Sequence, residues 1–431
     1  MLLIYTHKIT SRFSYTMKQI FTRILGVEIT FTTQVEDFIK HSGPKITYTK
    51  QPLQNEFFIR SNDLLFEQGI NDIEVNINDW EGVPCFFTAG EKSTIPFDIF
   101  SASFYLLSRY EEYLPYVKDM HGRFPPKESL AYQNGFLQQP VVDIWAFKLL
   151  EKLKNRFIDL EHKKRTYTYT SVIDVTTSHG YAYRGFVRSL AGTIFDLGSF
   201  KLKRVAKRIA VWFNTSKDPF DNYGYLIQLH KKFNINSMFF FQFASYSTYD
   251  KNVSPNNNNF KFLIKSIADY GKVALSASYS SFDDILLLKT EKKKLSEVIN
   301  RDVNASRMRY NRVDIPHTYR NLIDAEFTDD YTMGYTHEIG FRAGTCTPFY
   351  FYDISLELQQ PIRVHPFSFH DYALVSMASK EEISEKIRAL YNRVKSVNGD
   401  FTSIFSIELL GGDKTKEWKE LYETVINECN V

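Results

Sequence analysis

The segment SMFFFQFASYSTYDKNVSPNNNNFKFLIKSIADYGKVALSAS, residues 237–278, is the part of the chain that most directly predicts the fold. It begins with an apolar run, Ser237–Phe243, whose length and aromatic content predict a buried strand. A polar loop follows, then apolar residues at helical spacing over Phe260–Tyr270, then a second strand at Val273–Ser278. A strand, a helix and a strand in this order predict two parallel strands joined by a crossover helix.

The same alternation continues on both sides of this segment. Further strands are predicted at Tyr167–Val175, Ala305–Tyr310, Ala325–Thr328, Ile339–Arg342, Ile362–His365 and Phe401–Ile407. Further helices are predicted at Asp221–Lys231, Ile285–Asn300, Lys380–Val397 and from Lys414 onward. Roughly seven such units in series favour a closed or nearly closed (β/α) barrel, whose sites lie at the carboxyl ends of the strands.

The first part of the chain has a different pattern, which predicts an α+β domain. Short strands are expected at Leu2–Tyr5, Glu28–Thr32 and Phe57–Arg60, and helices at Phe97–Tyr116 and Asp143–Arg156. The charged stretch 161–165 is the predicted boundary, so residues 1–160 form the first domain and residues 161–431 the barrel. A chain of 431 residues is long enough for two domains or more.

Composition and charge exclude some classes of function. The net charge of +3 is too small for a nucleic-acid footprint. The basic run Lys201–Lys207 is interpreted as a solvated helix face, with contact to a membrane surface or an anionic glycan as the lesser alternative. The three cysteines are far apart, which favours a reducing compartment over a disulfide framework. Neither a signal peptide nor a transmembrane run is apparent, so we expect a cytoplasmic protein without a membrane span.

Candidate site residues follow from the rule that barrel sites lie just past the strands. The positions that satisfy it are 174–179, 276–279, 307–309, 329–330, 342–347, 365–371 and 406–408. Aromatic residues make up 16% of the chain. Most rings fill cores, but a ring face also binds the C–H face of a sugar.

Three of these positions carry side chains suited to catalysis. Asp174 ends the first barrel strand and is placed as a general base or metal ligand. Arg342, in FRAGTCTPF (341–349), is placed to clamp a carboxylate or phosphate, or else to form a buried structural ion pair. His365, in HPFSFHD (365–371), is placed as a general acid or a metal ligand. No nucleotide-binding or serine-hydrolase motif is present.

Several longer segments resemble a known family. They are FDIFSASFYLLSRYEEY (97–113), HGRFPPKESLAYQNGF (121–136), DPFDNYGYL (218–226), FKFLIKSIADYGKV (260–273), DDYTMGY (329–335), GFRAGTCTPFYFYD (340–353) and HPF (365–367). The chain resembles the polysaccharide deacetylase (NodB-like, carbohydrate esterase) family, in a Bacteroidota branch with an extra N-terminal α+β domain. The resemblance implies a distorted (β/α) barrel and metal-dependent removal of N-acetyl groups from amino sugars, with an Asp base and a late His acid.

The chain departs from the family pattern where the metal and acid would be held. Thr176 stands where the first-strand motif has a second Asp. The third-strand motif, expected as His-Pro-Ser-Tyr, reads Ser-Ala-Ser-Tyr at 276–279, and the last-strand segment 405–408 has no His. Hydroxyls are poor ligands for divalent metals. The resemblance therefore implies an impaired deacetylase-like protein that keeps a carbohydrate-binding cleft and needs no cofactor.

The predicted site and partners follow from this interpretation. The catalytic candidates are Asp174, Arg342 and His365, the binding candidates are Ser276, Tyr279, Thr345 and Glu408, and no metal ligands are expected. The partner is an amino-sugar glycan or a glycan-processing enzyme. Two alternatives stay open: an active zinc-dependent N-deacetylase rebuilt from Asp174, His179, His337 or His365, and a purely structural partner protein.

Overall fold

The structure is a computed structural model that describes residues 1–377, 379–412 and 414–430. Its strands are β1 Leu2–Tyr5, β2 Ile29–Thr32, β3 Lys45–Thr49, β4 Phe57–Arg60, β5 Asn78–Trp80, β6 Val83–Cys85, β7 Thr168–Val175, β8 Asn236–Phe241, β9 Lys272–Ala277, β10 Ala305–Met308, β11 Asp329–Asp330, β12 Phe349–Asp353, β13 Leu358–Val364, β14 Phe369–His370 and β15 Asp400–Ser406.

The helices surround these strands. They are α1 Ser11–Met17 (continued by a π-helix, Lys18–Ile24), α2 Val35–Lys40, α3 Ile99–Leu107, α4 Leu130–Gln133, α5 Val141–Arg156, α6 Phe186–Gly198, α7 Leu202–Trp212, α8 Tyr223–Lys232, α9 Asn258–Ala268, α10 Ile285–Ile299, α11 His317–Asp324, α12 Asp371–Leu374, α13 Lys380–Ser396, α14 Ile407–Gly411 and α15 Thr415–Cys429. No helix in the described part of the chain is both long and apolar enough to cross a bilayer.

Two parallel-strand sheets organise the molecule. The smaller has the order β2-β1-β3-β4 and the larger the order β12-β13-β11-β10-β9-β8-β7-β15-β14. In the larger sheet the one antiparallel pair of neighbours among the described strands is β12 with β13. The predicted mixed α/β architecture with parallel strands is thus confirmed. Closure into a barrel is not confirmed, because the strand order leaves β12 and β14 as edges.

The inner face of the large sheet is packed with apolar side chains. This small core consists of Val172, Met238, Phe240, Ala274, Phe367 and Ile404, with Ala305 and Tyr331 packed against it. Because side chains alternate along a strand, residues two positions further on share this inner face. Asp174, Ser276, Arg307 and Ser406 are those residues, and they form the next layer toward the carboxyl ends of their strands.

Local structure differs from the sequence prediction in several places, including the unpredicted strands β3, β12 and β14. No strand forms at Ile339–Arg342 or at Ala325–Thr328, so both predictions are wrong. Gly340 has φ 129°, and its neighbour Phe341 donates its N–H to the Leu137 carbonyl in another part of the chain, 2.8 Å away. Helices α6 and α7 were predicted only as the basic helix around Lys201–Lys207.

One apolar core includes residues from both sides of residue 160. Phe104, Trp145, Phe341 and Tyr352 belong to it alike. Tyr15 donates its hydroxyl to the Tyr350 carbonyl over 2.8 Å, which also joins α1 to β12. The division into domains at residue 160 stays a prediction, and the packing across it is continuous.

Candidate functional site

An ion pair lies directly above the inner core. Arg307 donates through Nε to Asp174 Oδ2 over 3.2 Å, and both side chains are buried. Arg307 also donates to the Tyr331 carbonyl, and its guanidinium lies 5.3 Å from the centre of the Phe367 ring. The other Asp174 oxygen, Oδ1, is buried with no hydrogen-bond partner in the described structure. Asp174 therefore has one oxygen neutralised by a cation and one buried oxygen without a partner in the described structure.

A second carboxylate stands beside this pair. Thr176 donates its hydroxyl to Glu408 Oε1, while Glu408 Oε2 is buried without a partner among the described atoms. Burial raises the pKa of Glu408 to about 7, and the negative charge of Asp174 adds to this rise against the opposing effects of Thr176 and Arg309. Glu408 is thus a carboxyl group that can exchange a proton near neutral pH.

The last strand ends on a polar triad. Ser406 donates its N–H to Asp371 Oδ2 over 2.6 Å and its hydroxyl to Oδ1 over 3.0 Å. His370 Nδ1 lies 2.7 Å from the same Oδ1. All three side chains are buried. Asp371 is consequently occupied by protein donors. His370 caps α12, since its ring also accepts from Tyr372 N at 3.3 Å.

Strand β9 carries serine hydroxyls at and just past its carboxyl end, at Ser276 and Ser278. Ser276 Oγ is buried without a hydrogen-bond partner in the described residues. The next turn is rigid, because Asp250 accepts the Tyr279 N–H over 3.0 Å and Glu291 accepts the Ser278 N–H over 3.1 Å. Burial also raises the pKa of Glu291 to about 7.

Aromatic rings lie beyond the carboxyl ends of the strands of the large sheet. Tyr249 stacks on Tyr279 with ring centres 4.0 Å apart, and His121 stacks on Tyr310 at 4.7 Å. The His121 ring reaches Tyr279 as well, with Nδ1 3.4 Å from the phenol oxygen. Tyr249 is 40% exposed and Tyr372 is 38% exposed. The rings form a wall that is packed on one side and open to solvent at Tyr249.

Arg342 and Thr345, predicted as site residues, lie in a separate and fully buried network. Arg342 binds Glu112 with two hydrogen bonds, Nε to Oε1 at 2.9 Å and Nη2 to Oε2 at 2.7 Å. Thr345 donates its hydroxyl to Asp143 Oδ2 over 2.6 Å. Glu112 and Asp143 belong to the first 160 residues. The structural ion pair considered from sequence is therefore what the geometry shows for Arg342.

His365 lies at the opposite end of the sheet from Asp174. Its Nε2 is 2.7 Å from Asp329 Oδ1, and its ring stacks on Tyr331 at 4.3 Å. It lines a groove of about 490 Å³ together with Lys272 and Ala305, the first residues of β9 and β10. Strand β13 is staggered so that its last residues align with the start of β11. The structure thus does not bring His365 to Asp174.

The residues considered for a rebuilt metal site are dispersed. His179 Nδ1 is near Ser178 Oγ at 3.1 Å, and burial lowers the pKa of its ring. His337 lines a small cavity beside Arg123 and Arg342. Within residues 1–377, 379–412 and 414–430, no three His, Cys, Asp or Glu side chains are grouped to hold a metal ion. The expectation that the protein needs no metal stays a prediction.

Asp174, Ser276, Tyr279 and Glu408 were predicted at the carboxyl ends of the strands. In the structure they lie at that end of the large sheet. It did not identify Arg307 as the partner of Asp174, although position 307 was among the candidates. The alternation of side chains along β10 was the available signal, since Arg307 lies two residues after the inward-facing Ala305.

Comparison with known proteins gives one family match and several matches to solved structures. A family of unknown function (DUF7033) matches residues 2–158, which is less than half of the chain. No curated protein matches. A putative polysaccharide deacetylase from Mycobacterium smegmatis is 14% identical, with 62% of this chain and 87% of that one covered and a TM-score of 0.39. A probable polysaccharide deacetylase from Pseudomonas aeruginosa PAO1 is 11% identical, with 61% and 84% covered and a TM-score of 0.37.

Proposed function

We propose that this protein is a polysaccharide deacetylase-like protein of surface-glycan metabolism that binds an amino-sugar glycan and has lost the catalytic metal. The observation that carries the proposal is the Arg307–Asp174 pair in the layer above the inner core. A guanidinium beside the first-strand carboxylate opposes a divalent cation at that carboxylate by charge repulsion. Ser276 and Ser406 complete the layer with hydroxyls, which are weak metal ligands.

The aromatic wall supports carbohydrate as the ligand. Sugars bind proteins through ring stacking combined with directed hydrogen bonds. Tyr249 offers an exposed ring on the wall. The buried oxygens of Asp174 and Glu408 that lack a partner are acceptors for a hydroxyl or amide group of a sugar that reaches them. The site therefore has the two kinds of contact that an N-acetylated sugar requires.

Calorimetric titration with N-acetylglucosamine oligomers tests the proposal. We expect binding by the wild-type protein and about a tenfold weaker affinity for Tyr249→Ala, the loss expected for one stacking ring. Phe262→Ala is the matched control, because Phe262 is an exposed ring on the helix α9. Stoichiometric zinc binding at micromolar affinity or better would show that a metal site survives, and the proposal would then be wrong. A folded protein that binds no oligomer would favour the structural-partner alternative.

Metal-independent hydrolysis is a second candidate, favoured by the state of Glu408. A carboxyl group with a pKa of about 7 and a free oxygen is suited to donate a proton to a leaving group, and Asp174 is the neighbouring carboxylate. Release of reducing sugar or acetate in the presence of a chelator, abolished by Glu408→Gln, would establish this activity. If neither the wild type nor Glu408→Gln hydrolyses the glycan but both bind it, binding is the function that remains supported.

A further inference from the structure

Helices α6 and α7 form a hairpin, residues 186–213, that buries only five of its side chains, three of which are polar. The buried residues are Ser189 and Asp196 in α6 and Val205, Arg208 and Val211 in α7. Arg208 joins the two helices by donating to Asp196 Oδ2 over 2.5 Å and to Thr193 Oγ1 over 3.0 Å. A helix packed on a soluble protein ordinarily buries its apolar stripe instead.

The apolar stripe of the hairpin faces outward. Its exposed large apolar residues are Phe186, Val187, Leu190, Ile194, Phe195, Leu197, Phe200, Leu202, Ile209, Trp212 and Phe213. These are eleven of the thirty exposed in the whole described structure, so the hairpin concentrates apolar surface far above the rest of the chain. Phe200, at the turn between the helices, is 88% exposed. Patches of this kind mark surfaces that are covered in use.

The charges around this stripe have one sign. Between positions 186 and 217 the chain carries seven Lys and Arg but one acidic residue, Asp196, which is already paired. Lys201, Lys203, Lys207 and Lys217 are exposed. Because the whole chain has a net charge of +3, this segment holds more positive charge than the molecule as a whole.

We propose that the hairpin is a docking surface for an anionic lipid bilayer, with both helices lying in the plane of the interface. Amphipathic helices that bind this way combine Trp, Phe and Leu on one face with Lys and Arg beside it. The helices have 13 and 11 residues, which is well below the roughly 20 needed to span a bilayer. Phe200 enters the acyl boundary first, and the flanking lysines contact lipid phosphates.

The groove beside the hairpin is lined by basic side chains, which favours binding to a surface rich in phosphate groups. A groove of about 620 Å³ separates it from the carboxyl end of the large sheet. Arg184 and Lys416 line the far side of this groove, and Lys203 and Lys207 line the near side. A protein partner would need a matching acidic and apolar surface, whereas an anionic bilayer supplies both at once.

Sedimentation with vesicles tests the docking surface. Full-length protein is mixed with vesicles of phosphatidylcholine alone or of phosphatidylcholine and phosphatidylglycerol in equal parts. We expect binding to the anionic vesicles. The double variant Phe195→Ser, Phe200→Ser should have at least about a tenfold lower partition coefficient, because it removes two exposed rings that would enter the bilayer. Lys203→Gln with Lys207→Gln should lower the partition coefficient by about thirtyfold through charge alone.

Matched controls and a second signal make the outcome decisive. Phe262→Ser with Leu286→Ser changes two apolar residues of similar exposure, 73% and 72%, and leaves binding unchanged. Trp212 fluorescence shifts to the blue with anionic vesicles, and Trp212→Phe removes that shift. The proposal is overturned by absence of binding to either vesicle, by apolar variants that bind like the wild type, or by a lipid-free dimer that the Phe195, Phe200 variant abolishes. None of these results depends on glycan binding.

Discussion

Replacing Glu112 by Gln tests whether Arg342 is structural. Glu112 accepts three charge-assisted hydrogen bonds, two from Arg342 and one from Arg109 Nε at 2.7 Å, and its side chain is completely buried. Each bond weakens by about 1 kcal/mol when the acceptor becomes neutral. In addition, the new amide NH₂ faces a guanidinium donor. We therefore expect a loss of about 3–5 kcal/mol in the free energy of unfolding, the range found when buried ion pairs are broken.

Urea unfolding, followed by fluorescence, measures this loss. Burial raises the pKa of Glu112, but the guanidinium groups of Arg342 and Arg109 outweigh it and hold the pKa below its usual value. A lowered pKa contributes stability that is present above the unfolded-state pKa and lost as the pH falls through the folded-state pKa. The difference between wild type and Glu112→Gln should therefore shrink in acid.

The matched control is Glu420→Gln, which breaks the exposed Lys380–Glu420 pair and should change stability little. A structural role for Arg342 is contradicted if Glu112→Gln is no more destabilising than this control. The same role is contradicted if Glu112→Gln keeps full stability and loses glycan binding, because Arg342 would then act on the ligand.

Three further outcomes are expected. Burial raises the pKa of Glu408 to about 7, so ionising this carboxyl group in the folded protein costs stability as the pH rises from about 4.5 to 7. In urea unfolding, the free energy of unfolding of Glu408→Gln should exceed that of wild type by about 1–3 kcal/mol at pH 8 and equal it at pH 4. Gly340→Ala should lose about 2–4 kcal/mol, since its φ is 129° and a Cβ would lie 2.4 Å from the Leu137 carbonyl oxygen; Gly198→Ala, with open space, should lose nothing measurable. His365→Ala should lose about 1 kcal/mol in the free energy of unfolding and keep the glycan affinity of the wild type. Weaker glycan binding by this variant would show that His365 belongs to the binding site.

The strands of the large sheet were largely predictable because their apolar runs are short and separated by helical periods. Strand β7 was predicted at Tyr167–Val175 and observed at Thr168–Val175. The end of the sheet that holds Asp174 and Glu408 followed from the rule for parallel strands. The stagger between neighbouring strands cannot be predicted from the sequence of one strand. For this reason His365 was expected at the same end of the sheet as Asp174, whereas it lies at the opposite end.

Partners distant in sequence were not predictable. Glu112 and Arg342 are 230 residues apart, and nothing local to either distinguishes a buried ion pair from a ligand clamp. The hairpin was predicted only in part. The basic run Lys201–Lys207 was interpreted as a solvated helix face, and the apolar residues of α6 and α7 were not recognised as one exposed stripe.

The buried links between the first 160 residues and the large sheet have a consequence for how this protein can change over time. Glu112 and Asp143 on one side hold Arg342 and the loop around Thr345 on the other. A recombination event that joined either part to a foreign neighbour would leave unpaired charges in the new interface, at a cost of several kcal/mol. The two parts are therefore expected to be inherited together, and a substitution on one side to be accepted only when the other side already accommodates it.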